Sequence, residues 1–341
     1  MKKSAKFLAV LLTISAGLFG HEGHDHNKEV YSAKPTESTT PAKVGNTAHA
    51  YVTVPGWGKV PNQPHIGSTH GGIAVDKAGN VYVSTDGNKD LAVFTSEGKY
   101  LRSFGKEFAR IHGMVINTEG DKQYLYCAAM SQVYKVDLKG NVVLRLKGTD
   151  LEKANQWRRA TAIAVSPAGD IFVADGYGSS RIFKYDKTGK FVKVFGTKGR
   201  KDGQFVTSHG LMVDSRNAEK PVLIVCDREN RRLQLFDMDG NFIKVAITGL
   251  RRPCSLSIWK DYIAVAELQG RVVVLDKEYK IVAKLGDNPN KKQWARFPVD
   301  PKQWKEGIFT APHGISFDKD GNIYVMDWNR WGRVTKLKRQ K

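Results

Sequence analysis

Short apolar stretches that alternate with polar residues recur along the chain from residue 50 onward. Residues 73–83 contain a first apolar run, a turn at Gly79 and a second apolar run, and residues 163–173 and 315–325 repeat this pattern. Alternating apolar residues between Gly and Asp turns are typical of half-buried antiparallel strands rather than of helices. The pattern therefore predicts an all-β fold.

A third strand follows each of these pairs and reveals the period of the repeat. From Thr95 the equivalent positions are spaced by 42, 49, 51 and 39 residues, and a sixth copy follows after a longer step. Four strands every roughly 40–50 residues are typical of one propeller blade, so the sequence predicts a six-bladed β-propeller. The third strands are expected at 90–95, 132–137, 181–186, 232–237, 271–276 and 333–338.

The two ends of the repeat region predict how the ring closes. The sixth copy has only three strands, and the strand-like residues 50–57 precede the first copy. We expect this N-terminal strand to complete the last blade, because closure removes exposed sheet edges. The propeller would then span residues 49–341 as one domain. Residues 287–309 remain as an insertion, which we interpret as a lid or rim loop over one face.

The N-terminus predicts export. Residues 1–20 have the pattern of a secretory signal peptide, with three lysines before a short apolar core and small residues after it. We expect a periplasmic or extracellular protein with no membrane span after signal removal.

Residues 21–48 are rich in Lys, Thr, Ser and Pro and predict a flexible tether. This tether begins with His21, His24 and His26. A short His-rich tract can bind Zn or Cu loosely, and the alternative is a solvated tail.

The charge of the chain favours anionic partners. It has 341 residues, with 54 Lys and Arg against 34 Asp and Glu and a net charge of +20; without the three lysines of the signal peptide the charge is +17. An anionic polymer would be attracted to such a protein in a salt-dependent way. Nucleic acid is disfavoured, because the basic residues cluster only at 336–341 and because export separates the protein from RNA. We expect a monomer.

The cysteines predict no disulfide framework. Cys127, Cys226 and Cys254 are odd in number and widely spaced, and the first two lie in apolar strand-like runs. This distribution favours buried free thiols.

Histidine recurs at the start of the innermost strands. Alternate blades of a six-bladed ring lie about 120° apart around the central channel, and three of the six equivalent positions, on alternate blades, are histidine. Three imidazoles with an open fourth position are the ligand set of a catalytic zinc, so the pattern predicts a metal site. The alternative is that each histidine caps a turn or binds water in the channel. His70 is one residue out of register and is expected to point elsewhere. Its default interpretation is structural, and the alternative is a group that supports the metal ligands from behind. The six positions are Gly71, His112, Thr161, His209, Cys254 and His313.

Polar residues also gather where the second strands end. Acids that recur there usually cap turns. Tyr177 and Arg228 do not recur, and a tyrosine beside a dication could act as a base because the metal lowers its pKa. The set comprises Asp86, Asp175, Tyr177, Asp227, Arg228, Glu267 and Asp327.

An ordered series of motifs resembles the catalytic core of the peptidyl-α-hydroxyglycine α-amidating lyases, which are six-bladed propellers of the NHL-repeat type. The resemblance is densest between residues 160 and 240 and spans roughly 110–335. It is carried by residues 111–113, 175–182, 203–205, 209–211, 227–230 and 311–314.

The resemblance implies a function and a role for five residues. It implies that His112, His209 and His313 hold Zn²⁺. It further implies that Tyr177 accepts the proton of the substrate hydroxyl and that Arg228 binds the substrate carboxylate. The implied reaction takes place on a peptide or small molecule in the channel. It cleaves the C–N bond of a C-terminal α-hydroxyglycine to give a peptide amide and glyoxylate, with zinc as a Lewis acid.

The chain departs from the family at three positions. Asp86 stands where the family has an active-site arginine, for which Arg110, Arg158 or Arg251 could substitute. Gly314 stands where the family has an aspartate that helps to bind a structural Ca²⁺, which argues against calcium here. Ser208 replaces a proline.

These departures keep a second function open. The alternative to a lyase is a non-catalytic NHL-type propeller that serves as a binding platform for a protein, a glycan or another polyanion, because a fold alone does not fix function.

Overall fold

Antiparallel four-stranded sheets account for most of the described chain. The computed structural model describes residues 40–86, 91–105, 107–108 and 110–340. The predicted signal peptide and the histidines of the predicted tether lie outside these residues. Every described residue belongs to one compact unit.

In the first three blades the strands follow one another in sequence across the sheet, from the innermost to the outermost strand. Two strands precede them, β1 (Lys43–Gly45) and β2 (Ala50–Thr53). Blade one comprises β3 (Ile73–Val75), β4 (Val81–Ser84), β5 (Leu91–Phe94) and β6 (Tyr100–Phe104). Blade two comprises β7 (Gly113–Glu119), β8 (Lys122–Ala129), β9 (Gln132–Asp137) and β10 (Val142–Lys147). Blade three comprises β11 (Ala162–Val165), β12 (Ile171–Ala174), β13 (Ile182–Tyr185) and β14 (Phe191–Phe195).

The remaining blades follow a short parallel pair, β15 (Thr197–Lys198) and β16 (Gln204–Phe205). Blade four comprises β17 (Ser208–Asp214), β18 (Val222–Asp227), β19 (Arg232–Phe236) and β20 (Phe242–Thr248). Blade five comprises β21 (Pro253–Trp259), β22 (Tyr262–Glu267), β23 (Arg271–Leu275) and β24 (Ile281–Leu285). Blade six contains β25 (Pro312–Phe317), β26 (Ile323–Asp327) and β27 (Arg333–Arg339). Short 3₁₀ turns lie at Gly148–Asp150, Lys153–Asn155, Lys291–Gln293 and Pro301–Gln303.

The N-terminal strand closes the ring as the sequence predicts. β2 pairs antiparallel with β27, with Tyr51 opposite Arg339, and supplies the fourth strand of blade six. β1 then adds a fifth strand, so the sheet runs β1-β2-β27-β26-β25. Residues 43–45 lie within the segment predicted to be a tether, and that prediction is wrong for them. They form a strand because Val44 packs against the apolar core between blades five and six.

The hydrophobic core is divided into wedges between neighbouring blades. Each innermost strand contacts the innermost strands on either side, and β25 contacts β3. Apolar side chains from the facing sheets fill each of the six interfaces; between blades two and three, for example, Trp157 is fully buried and its indole N–H donates to the hydroxyl of Tyr185 at 2.7 Å. This packing confirms the predicted six-bladed propeller. All three cysteines are buried free thiols, as predicted.

The insertion at residues 287–309 contains two of the 3₁₀ turns and lies beside the innermost strands. The guanidinium of Arg251 stacks on Trp294 at 4.3 Å, and the ring of Phe297 lies 5.0 Å from that of Trp328. Asn288 is buried and its amide donates to the carbonyl of Phe309 at 2.8 Å. Within the described part of the chain, no helix has the length and apolarity needed to cross a bilayer.

Candidate metal and active site

A histidine followed by glycine begins the innermost strand of blades two, four and six. His112, His209 and His313 are 2%, 1% and 3% exposed, respectively. In blades four and six the ladder between the first two strands shifts register at the histidine. A bulge of this kind redirects a side chain.

The glycine after each histidine allows neighbouring blades to approach closely. A β-carbon on Gly113 would lie 2.5 Å from the carbonyl oxygen of Thr161, and one on Gly210 would lie 2.4 Å from that of Cys254. At Gly314 the clash would be with the carbonyl of Gly71, also at 2.4 Å. Such distances exclude any side chain. Gly314 is therefore required by packing in this chain.

The three imidazoles form a nearly equilateral triangle. The ring centroids of His112 and His209 are 4.7 Å apart, those of His112 and His313 4.8 Å, and those of His209 and His313 4.7 Å. The innermost strands also line a cavity of about 210 Å³, and the three histidines are among its lining residues. The structure thus brings together the three histidines that the sequence singled out.

Backbone carbonyls of the intervening blades fix the ring orientation. Nδ1 of His112 lies 2.7 Å from the carbonyl oxygen of Thr161, and Nδ1 of His209 lies 2.9 Å from that of Cys254. A carbonyl can only accept, so both Nδ1 atoms carry a proton, and in a neutral ring Nε2 then has the lone pair. This arrangement orients an imidazole as a metal ligand through Nε2.

His313 has a less complete set of partners. Its Nδ1 is buried and has no hydrogen-bond partner among the described residues. Burial lowers the pKa of His209 and of His313 well below the ordinary value, and the charge of Arg228 and the neighbouring imidazoles lower it further. Both rings are therefore neutral at pH 7, the state in which imidazole binds a metal.

The hydroxyl of Tyr177 lies between two of the histidines. It is 3.2 Å from Nε2 of His112 and 3.1 Å from Nε2 of His209. It also accepts from Nη1 of Arg228 at 3.0 Å. Tyr177 reaches this position from the turn after β12, where a β-carbon on Gly178 would collide with the carboxylate of Asp175 at 2.3 Å. Burial raises the pKa of Tyr177, and the positive charge of Arg228 opposes that rise.

Arg228 is a buried cation beside the histidines, and it takes part in this hydrogen-bond network. It is 8% exposed, and its Nε donates to Oε1 of Glu229 at 2.9 Å. The same oxygen accepts from Nη2 of Arg252 at 2.5 Å. Glu229 therefore holds two guanidinium groups at this end of the channel, and one of them reaches the hydroxyl of Tyr177.

The other acids at the ends of second strands have the structural role that their repetition predicts. Each is at most 2% exposed and accepts backbone N–H groups from the loop before the innermost strand of its blade. The four are Asp175, Asp227, Glu267 and Asp327, and their backbone donors include Arg159, Val206, Arg251 and Ala311.

Asp86, at the end of the second strand of blade one, lies beside a histidine. Its carboxylate lies 3.6 Å from Nδ1 of His70 and 3.3 Å from the hydroxyl of Ser68, which donates to it. The arginines considered as substitutes differ in their surroundings. Arg110 and Arg158 are exposed, and Arg251 pairs with Asp287 at 2.6 Å.

His70 points toward the other histidines, contrary to the prediction from its register. Its ring centroid lies 4.6 Å from that of His112 and 5.2 Å from that of His313. Thr69, just before it, forms an isolated bridge with Asn329, and this bridge carries the chain out of strand alternation. A signal was present in the sequence: residues 70–71 form the same His-Gly dipeptide as the three predicted ligands.

Two overlapping groups of side chains have ligand atoms within 4.8 Å of one another among the described residues. One is His70, His112 and His313, and the other is His209, Cys254 and His313. Together they include all three predicted ligands and share His313. Burial raises the pKa of Cys254 to about 11, which disfavours a thiolate ligand. Neutral, oriented imidazoles are donors that suit Zn²⁺, so the residues present fit a zinc ion.

Comparison with known proteins places these features in context. No family model matches the chain. The chain is 33% identical over 253 residues to a probable peptidyl-α-hydroxyglycine α-amidating lyase of Caenorhabditis elegans, a match that covers 70% of this chain and 67% of that protein. It is 28% identical over 254 residues to a peptidyl-glycine α-amidating monooxygenase of Mus musculus, which covers 70% of this chain. The match spans 24% of the mouse protein.

A solved structure has a similar fold. A streptogramin B lyase superposes with a TM-score of 0.55 at 16% identity, over 82% of this chain and 95% of that one. At this identity the likeness concerns the fold.

Proposed function

The chain belongs to the peptidyl-α-hydroxyglycine α-amidating lyase family, and we propose that it is a metal-dependent carbon–nitrogen lyase. The observation that carries this proposal is the triangle of His112, His209 and His313, with ring centroids 4.7–4.8 Å apart and the hydroxyl of Tyr177 against two of its members. The proposed substrate is a peptide or smaller amide that ends in α-hydroxyglycine. The proposed products are glyoxylate and the corresponding amide.

The metal in this proposal is Zn²⁺. His112, His209 and His313 would hold it, because their donors are imidazole nitrogens and two of the rings are oriented by backbone carbonyls. When bound, zinc supplies a Lewis acid for the hydroxyl or carboxylate oxygen of the substrate.

Tyr177 and Arg228 have separate roles in the proposed reaction. Arg228 provides a guanidinium of the kind that binds carboxylates, and in our proposal it holds the carboxylate of the substrate. Tyr177 accepts the hydroxyl proton as the C–N bond breaks and the carbonyl of glyoxylate forms. The departing amide nitrogen gains one proton, so protons balance over the reaction. The arginine beside the tyrosine favours the ionised phenol that this transfer requires.

We also propose that the protein works in the periplasm or the extracellular space. The support is the signal-like pattern of residues 1–20, in which three lysines precede a short apolar core. Export would bring the enzyme to secreted peptides.

The test measures metal and product on the same preparations. The protein is purified without chelator, its metal content is determined, and glyoxylate release is followed from a peptide that ends in α-hydroxyglycine. His209→Ala is compared with His65→Ala, a matched histidine variant whose ring contacts Trp304 at 6.3 Å. We expect about one zinc per chain in the wild type and in His65→Ala. His209→Ala should lose both the metal and glyoxylate release.

The opposite results are equally clear. A wild-type protein that binds no metal and releases no glyoxylate would overturn the lyase proposal. The non-catalytic platform for a protein, glycan or polyanion would then replace it, and its binding should weaken as salt is added because of the basic charge of the chain.

A further inference from the structure

His70 and Asp86 form a pair at the edge of the histidine triangle. The ring of His70 lies against His112 and His313, and one ligand atom from each of these three histidines falls within 4.8 Å of the others. We propose that His70 is a fourth imidazole ligand of the bound metal and that Asp86 is the positioning residue that orients it. This inference rests on the metal site of the proposed function.

Each edge of the triangle has one further group beside it. Tyr177 lies beside the edge between His112 and His209, with its ring centroid 5.1 and 5.5 Å from theirs. Cys254 belongs to the group on the edge between His209 and His313. His70 occupies the third edge, between His112 and His313. Of these three groups, only His70 adds another imidazole nitrogen.

The contacts of His70 leave its ring directed at the metal ligands. Its Nδ1 lies 3.6 Å from Oδ2 of Asp86, and the backbone N–H of Asp86 donates to the carbonyl of Ser68 at 2.8 Å. On the other side, the indole of Trp328 lies 6.2 Å from the imidazole, tilted by 31°. A carboxylate near one ring nitrogen is the outer partner that metal-binding histidines commonly have. At 3.6 Å the Asp86 carboxylate is within ion-pair distance of the imidazole, where it can orient the ring.

The backbone beside His70 is anchored to blade six. The N–H of Thr69 donates to the carbonyl of Asn329 at 2.9 Å, and its hydroxyl donates to the carbonyl of Asp327 at 2.7 Å. Because blade six holds this segment through these hydrogen bonds, the backbone fixes the position of His70. The side chains of His70 and Asp86 are only 16% and 10% exposed, so water competes weakly for their polar atoms.

A fourth protein ligand changes the character of the site. Structural zinc sites have four protein ligands, whereas catalytic sites keep one position open. With His70 in place, the protein itself fills that position until a substrate competes for it. Four nitrogen donors should also bind zinc more tightly than three.

The test measures metal binding directly, so it does not depend on turnover. The full chain is stripped of metal, and its affinity for Zn²⁺ is measured by competition with a chromophoric chelator. The visible spectrum of the Co²⁺-loaded protein reports the ligand number. The variants are His70→Ala and Asp86→Asn, with His65→Ala as the matched control and His209→Ala as a reference for the triangle.

We expect His70→Ala to weaken Zn²⁺ binding by about 10- to 100-fold and Asp86→Asn by about 10-fold. His70→Ala should also change the Co²⁺ spectrum, and His65→Ala should leave both readouts unchanged. Asp86→Asn retains the shape of the side chain and keeps the test decisive if His70→Ala fails to fold.

The outcomes separate this inference from the proposed function. If His209→Ala loses the metal while His70→Ala and Asp86→Asn match the wild type, the inference is overturned and the three-histidine site stands. If His70→Ala loses the metal and His209→Ala keeps it, the metal lies between His70, His112 and His313, and both the predicted triad and the four-histidine site are overturned. A wild-type chain that binds no Zn²⁺ overturns both.

Discussion

The hydroxyl oxygen of Tyr177 accepts a hydrogen bond from Nη1 of Arg228 at 3.0 Å, and the guanidinium carbon lies 5.2 Å from the centre of the tyrosine ring. The two residues come from different blades, 51 positions apart in the chain. This contact places a fixed positive charge beside the hydroxyl of Tyr177, which is proposed to accept a proton. The proposed acid–base residue and the proposed carboxylate-binding residue therefore work as a pair.

Tyr177→Phe should separate metal binding from turnover. The substitution removes only the hydroxyl, so His112, His209 and His313 keep their positions and the zinc content should be unchanged. The rate of glyoxylate release should fall by about 10²- to 10⁴-fold, the usual contribution of general acid–base catalysis. Metal analysis and a steady-state assay on one preparation check this. A variant that turns over normally would remove Tyr177 from the chemistry.

Glu229→Gln should loosen Arg228 without removing the metal. Burial raises the pKa of Glu229, but the charges of Arg252 and Arg228 outweigh this and hold the pKa below its ordinary value of 4.5. The substitution keeps the shape and removes the charge, so KM for the carboxylate substrate should rise by about 10-fold. Unchanged zinc content is the control. An unchanged KM would show that Arg228 needs no help from Glu229.

The same variant makes a prediction about pH and stability. A carboxylate whose pKa is lowered in the folded state stabilises the protein above its unfolded pKa, and this stabilisation is lost as the pH falls through the folded pKa. Wild type should therefore exceed Glu229→Gln by about 1 kcal/mol at pH 7, and the difference should shrink below about pH 4.5. Urea unfolding at several pH values measures it. A difference that grows on acidification would mean that the carboxylate is not stabilised by the arginines.

Gly71→Ala should damage the metal site through packing alone. A β-carbon at this position would lie 2.4 Å from the carbonyl oxygen of His112 and 2.6 Å from Nδ1 of His313. Relief of this clash must move a histidine, so stability should fall by about 1–3 kcal/mol and zinc affinity by about 10-fold. Gly120→Ala is the control, because nothing lies within 4 Å of its β-carbon although its φ is +58°. It should cost stability only. Unchanged zinc affinity in Gly71→Ala would contradict the rigid spacing of the blades.

Removal of the closing strands should destabilise the whole ring. A chain that starts at Thr40 keeps β1 and β2, whereas one that starts at Val54 leaves β27 as an open sheet edge. Loss of the buried Tyr51 by itself costs about 3–5 kcal/mol, so the longer truncation should lower Tm by about 10 °C and promote aggregation. Thermal unfolding and light scattering of the two chains check this. Equal Tm values would show that closure contributes little.

The local sequence pattern was sufficient to predict the fold, because a propeller repeats one local unit, the four-stranded blade. Strands β9 and β13 fall within a residue of their predicted ends, and Ala50–Thr53 closes the ring as expected. The prediction of a flexible tether is wrong at residues 43–45. A three-residue strand forms there because Val44 packs against an apolar surface that includes residues of blade five. No local signal encodes a contact of that kind.

The same distinction between local pattern and tertiary contact applies to the candidate site. The sequence by itself determined the six blades and the recurrence of histidine on alternate inner strands, because both follow from periods along the chain. Only the tertiary structure decided where His70 points, that Asp86 lies beside it, and that Tyr177 meets Arg228. The contacts of His70 with His112 and His313, and of Tyr177 with Arg228, join residues from different blades, and bulges and close glycine packing set their geometry. Their distances depend on how the sheets pack around the axis, and no spacing in the sequence records that packing.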